Sequence, residues 1–196
     1  MSDRVRILVV AATARELAAP NGWLTLQCGV GPVEAAAATA AAIAELRPQA
    51  ILHVGIAGAR RIRGLAPASL VIGADARYCD SNMPTEWAPT TVSASPHLLA
   101  AVQLLLQNVV TLSIGTSARV GGATDCDVEA MEGFGVLRAA QRAGVPAIEV
   151  RAISNDIEEQ DRTQWHFDAA FAAITAITPQ LVRALQDRMR TGPADA

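Results

Sequence analysis

Short apolar runs alternate along this chain with longer stretches in which small apolar residues recur at helical spacing. Residues 7–12 (Ile-Leu-Val-Val-Ala-Ala) are continuously apolar, as in a strand buried on both faces, and residues 23–28 alternate as a second strand does. The turn Gly29-Val30-Gly31-Pro32 leads into an Ala-rich helix that ends near Arg47, with Pro48 as the stop. Further strands are predicted over 50–56, 69–76, 109–114 and 147–153. Ser95 and Pro96 supply an N-cap and a first-turn proline for a helix to about 106. Helices are also predicted over 129–143, 167–177 and 179–190, with Thr178-Pro179 restarting the last. Residues 78–91, with Pro84 and Pro89, read as an irregular active-site loop, and 191–196 as a disordered tail. Strand-helix alternation with short connections predicts one three-layer α/β domain over residues 1–190.

Composition sharpens this picture. The chain is 51% hydrophobic but 4% aromatic, so Ala, Val, Leu and Ile must build the core, as in a parallel sheet covered on both faces. Its 196 residues suffice for one well-buried core. A net charge of −3 gives nucleic acid and anionic membranes no attraction, and no run reaches the roughly 18 apolar residues of a span. Cys28, Cys79 and Cys126 are odd in number and widely spaced, which suits a reducing cytoplasm. His53, His97 and His166 are too scattered for a metal cluster, so no metal and no organic cofactor is expected.

Three polar features could carry chemistry at the carboxyl ends of the strands, where open α/β sheets bind ligands. Glu16 follows the first strand, Glu132 lies beside Met131 and an apolar helical face, and strand 147–153 runs into Ser154-Asn155-Asp156. Each has a plain structural use: a solvated first-turn carboxylate, a surface acid, a helix cap. Taken together they supply what cleavage of an N-glycosidic bond requires. One carboxylate can take a proton from water, a second can bind ribose hydroxyls, and a polar group can hold the departing base. Gly29-Val30-Gly31-Pro32-Val33-Glu34 is a poor dinucleotide fingerprint, because Glu34 replaces the third glycine.

In order along the chain, residues 7–16, Gly29-Val30-Gly31-Pro32 and Val54-Gly55-Ile56-Ala57-Gly58 are followed by Asp75-Ala76-Arg77-Tyr78, Met131-Glu132-Gly133 and Val150-Arg151-Ala152-Ile153-Ser154-Asn155. In that order they resemble the purine nucleoside phosphorylase/nucleosidase superfamily. The resemblance implies a three-layer α/β/α domain with a central mixed, mostly parallel sheet. It implies a small-molecule nucleoside substrate and a homo-oligomer, a dimer or a multiple of dimers. It also implies Glu16 as general base, Glu132 as ribose ligand and Met131 as a wall for the sugar. Asn155 would bind the base with Ser154 or Asp156 in support, and Gly55 and Ile56 would lie at the substrate. Adenine-specific methylthioadenosine/adenosylhomocysteine nucleosidases place an acid where this chain has Asn155. An amide can donate to a 6-oxo group but is no strong acid, which favours a 6-oxopurine. Phosphorylases carry an arginine before Val-Gly-Ser, where this chain reads His53-Val54-Gly55-Ile56, so water is favoured over phosphate.

The branch most resembled is that of the futalosine hydrolases, with adenine nucleosidases, phosphorylases and a non-catalytic nucleoside-binding protein as alternatives. The benzoate of futalosine would call for an arginine, from among Arg60, Arg61, Arg63, Arg77 and Arg162. Only residues 116–130, with Gly121-Gly122 in the middle, separate the 109–114 strand from Met131, fewer than is usual in the superfamily.

Overall fold

The computed structural model describes residues 5–120 and 125–191; Gly121-Gly122 and the tail from 192 lie outside them. The central sheet is mixed, with most strand pairs parallel. Strands β1 (Ile7–Ala11), β2 (Leu24–Gln27) and β3 (Ala50–Ala59) pair in parallel, with β1 between the other two. Beyond β3 come β4 (Leu70–Tyr78), β5 (Thr91–Ser93), β6 (Val110–Thr116), β7 (Val128–Ala130) and β8 (Ala147–Asp156). β8 pairs in parallel with β3 and antiparallel with β4, while β3 also meets β7, β7 meets β6 and β6 meets β4. The expected layers are therefore present around a sheet that curls back on itself, closed through β8. A register shift at Ala57/Gly58 in β3 and another at Gly73/Asp75 in β4 accompany the bend.

Helices cover both faces. On one, α1 (Pro32–Leu46) packs against α3 (Gly133–Arg142) through Ala35, Ala42, Val136, Leu137 and Ala140. Gly135 permits their approach, since a Cβ there would overlap the Pro32 carbonyl. On the other face α2 (Pro96–Leu105) and α4 (Phe167–Thr191) contribute Leu98, Val102, Ala170, Ile174, Leu181 and Leu185.

Five expected elements differ, three helices and two strands. Residues 128–130 are a strand, and α3 starts only at Gly133, because the backbone there pairs with both β3 and β6. Residues 167–191 form one helix through Pro179, held by a continuous buried stripe at Ile174, Thr178, Leu181, Val182 and Leu185. Strands β3 and β8 run on to Ala59 and Asp156, three residues past their expected ends, by pairing with each other there.

Candidate active site

A pocket of about 300 Å³ opens where β1, β3 and β8 end, with β7 and the 162–171 segment closing its sides. Glu16, Ile56, Met131, Glu132, Ser154 and Asn155, six of the eight expected site residues, line it. Thr13, Val30, Trp165, Phe167 and Phe171 add a largely apolar wall.

Glu16 ends a single 3-10 turn (Ala14–Glu16) that follows β1, and it is 3% exposed rather than solvated. The turn folds its carboxylate back, so that Oε2 accepts from the Thr13 backbone N–H and hydroxyl, each at 2.8 Å. Oε1 accepts from the Ile56 N–H at 3.2 Å. Across the pocket Glu132 is the N-cap residue of α3 and is 4% exposed. Its Oε1 accepts from the Gly31 N–H at 3.1 Å, and its Oε2 faces both terminal nitrogens of Arg151 at 3.4 Å. Gly31 can present its N–H this way because its φ of 98° lies in the region open to glycine.

At the end of β8 the amide of Asn155 is oriented by its neighbours. Oδ1 takes a hydrogen bond from the Ser154 hydroxyl at 2.7 Å, and Nδ2 donates to the Asp156 carbonyl at 2.9 Å. With its oxygen held by Ser154, the amide can turn an N–H toward a ligand. Asp156 is not brought to the pocket: its carboxylate accepts the Arg61 Nε–H at 2.9 Å, outside the cavity lining. Asp156 therefore does not restore the acid that Asn155 lacks. Gly55 lies under the pocket, where a Cβ would collide with the Arg151 guanidinium, so its part is to make room.

The five candidate arginines separate clearly. Arg61 pairs with Asp156, Arg63 with Asp127, and Arg60 reaches Glu158 and the Cys126 carbonyl. Arg77 borders a different cleft beside Tyr78. Among the described residues lining the pocket, Arg162 is the one cation, and it lies over the Trp165 ring. The 79–90 loop contributes nothing to the pocket lining, contrary to expectation.

Sequence reasoning missed a buried polar group beneath the site. Arg151, 1% exposed, donates from Nε to Glu149 Oε1 at 2.7 Å and lies 2.5 Å from His53 Nε2. The signal was present: Glu149 and Arg151 are two apart in an otherwise apolar strand, hence on one face and obliged to pair. Burial opposes the charge on Arg151, but Glu149, Glu132 and Glu16 outweigh it and its pKa is raised. Nearby, burial and then the charge of Glu132 push the Cys28 thiol up to about 12.

The model of the Phosphorylase superfamily matches residues 23–126. Futalosine hydrolase of Streptomyces coelicolor is 35% identical over 197 residues, spanning 85% of this chain and 81% of that protein. A 5'-methylthioadenosine/S-adenosylhomocysteine nucleosidase from Neisseria meningitidis, solved with methylthio-immucillin-A, superposes with a TM-score of 0.80 at 18% identity, covering 92% of this chain and 99% of that one. Futalosine hydrolase of Helicobacter pylori gives 0.74 at 16% identity, over 95% and 98% of the two chains. These two superpositions establish a shared fold.

Proposed function

We infer the reaction from one premise: the chain belongs to the phosphorylase superfamily. It is an N-glycosidase, and its substrate is futalosine, split by water into hypoxanthine and dehypoxanthine futalosine in menaquinone biosynthesis. The relative from Streptomyces coelicolor supports this choice. So does Asn155, an amide at the base-binding end of β8.

The setting of Glu16 is the observation that carries the choice of water over phosphate. Both its oxygens are anchored at the pocket wall, and the Ile56 N–H is committed to it. His53 is buried under Arg151 rather than offered to a ligand. A phosphate next to Glu16 would meet a negative charge, whereas a water would meet an acceptor.

In this reading Glu16 takes a proton from water as the oxygen bonds to C1′ of the ribose. Glu132 accepts from the ribose hydroxyls, and Met131 packs on the sugar. The C1′–N9 electron pair leaves with hypoxanthine, whose ring and 6-oxo group spread the charge, and Asn155 Nδ2 donates to it. We further propose a cytoplasmic homo-oligomer whose second copy borders the pocket at Val30, an apolar side chain left 56% exposed at the rim.

The test is incubation of the purified protein with futalosine, inosine and methylthioadenosine, with and without phosphate. Hypoxanthine release from futalosine at an equal rate in phosphate-free buffer is expected. Release that requires phosphate, or release of adenine alone, would overturn the reading.

A further inference from the structure

Glu132 is held by Arg151, and Arg151 is held by two groups that never reach the pocket. Glu149 and His53 are each 0% exposed, and neither lines the cavity. Glu149 accepts the Arg151 Nε–H, and His53 Nε2 accepts a hydrogen bond from a terminal guanidinium nitrogen. The tautomer of His53 follows from its other contact. Nδ1 lies 3.0 Å from the Val10 carbonyl, which can only accept, so Nδ1 carries the hydrogen and Nε2 offers its lone pair. Burial, then the neighbouring Arg151, hold the His53 pKa well below its usual value, which keeps the ring a neutral acceptor.

The backbone is shaped around this group. His53 stands opposite Glu149, and Gly55 opposite Arg151, in the β3–β8 register. A Cβ at Gly55 would overlap Arg151, and a Cβ at Gly133 would overlap the Glu149 carboxylate. One strand, β3, and the first turn of α3 therefore both yield space to one guanidinium and its anchor. Such a group is a poor device for stability alone, because apolar side chains of equal volume often serve a core as well. What it supplies is direction: with Nε on Glu149 and one edge on His53, the terminal nitrogens are left facing Glu132 and the Ile56 carbonyl.

We propose that Glu149 and His53 are positioning residues that fix the Arg151 guanidinium and, through it, aim the Glu132 carboxylate at the hydroxyls of a ribonucleoside. The identity of the ligand rests on the nucleosidase reading.

The test compares futalosine and methylthioadenosine with their 2′-deoxy and 3′-deoxy forms, by kcat and KM and by calorimetric Kd. In Glu149→Ala and His53→Ala the preference for the ribonucleoside over the deoxy forms should fall about 10- to 100-fold, mainly in kcat, as expected for a misplacement of about 1 Å. The deoxy substrates, each keeping one hydroxyl for Glu132, should lose clearly less than the ribonucleosides. Glu149→Gln, which keeps an acceptor for Nε, should restore most of the preference. If Glu149→Ala does not fold, His53→Ala carries the comparison from the other edge. Equal losses on ribo and deoxy substrates, or an unchanged preference in the variants, overturn the proposal. Hydroxyl-dependent binding without turnover, lost in the variants, would uphold it while removing the nucleosidase reading. A protein that binds neither ribonucleoside, or is indifferent to the hydroxyls, overturns it as well.

Discussion

Asn155 concentrates the choice of base in one amide. Its oxygen is tied to Ser154, so what it can offer a purine is an N–H donor. Asn155→Asp would replace a donor with a group able to deliver a proton, and general acid help is worth about 10²-fold or more. We expect that variant to raise methylthioadenosine turnover relative to futalosine by at least about 10-fold, read from adenine and hypoxanthine release. Glu16→Gln keeps the size of the side chain and removes the base. Its kcat should fall by about 10²- to 10⁴-fold, with a stability loss of about 1–3 kcal/mol because one anchored oxygen becomes an amide N–H facing the Ile56 or Thr13 donors. Cys28 reports on the same charges through stability. Its thiol titrates near 9.0 when unfolded and near 12 in the fold, because burial and Glu132 disfavour the thiolate. That contribution to stability is complete below pH 9 and is lost as pH rises toward 12, at up to about 1.4 kcal/mol per pH unit. Urea unfolding between pH 8.5 and 10.5 should display this slope, and Cys28→Ala should flatten it.

Among the elements, α4 and β7 show where local pattern and tertiary context part. Pro179 reads as a helix boundary, because it lacks an N–H and crowds the preceding turn. The buried stripe from Ile174 to Leu185 nevertheless carries the helix through it. Pro179→Ala should then stabilise the protein by about 1–3 kcal/mol, visible as a higher melting temperature. In β7, Glu129, Ala130 and Met131 look helical in sequence, yet residues 128–130 are drawn into the ladder by β3 on one side and β6 on the other. A three-residue strand carries too little alternation to announce itself. The consequence for the site is direct: α3 begins one turn later, and Glu132 becomes its N-cap instead of an interior helical residue.

At the scale of the whole molecule, the closing of the sheet through β8 decides which polar residues meet. β8 lies between β3 and β4, so Arg151 is buried on both sides and brings Glu149, His53 and Glu132 into one group. That burial also predicts acid sensitivity. The unfolded chain protonates His53 near its ordinary value of 6.5, while the fold holds the ring neutral to well below that. Its contribution is therefore complete above pH 6.5 and lost as pH falls below it, at up to about 1.4 kcal/mol per pH unit. Denaturant midpoints measured from pH 7.5 down to 5 should fall accordingly, and His53→Asn should remove that part of the slope.

Strand and helix periodicity and the scarcity of aromatic bulk were sufficient for the α/β class, while the superfamily and the six residues found at the pocket came from the resemblance carried by the order of the Gly-rich, Met-Glu and Ser-Asn segments. The fold class is a property of neighbours in sequence: apolar spacing marks a buried face, and a polar group just past a strand lies at the rim of the sheet. What only the tertiary structure decided depends on pairing between distant strands. That Asp156 faces Arg61 and that Gly55 makes room for Arg151 follow from the β3–β8 register, and that His53 is an acceptor rather than a stray histidine follows from the placing of β3 between β1 and β8. Register fixes which side chains share a face, and no local spacing in the sequence encodes it.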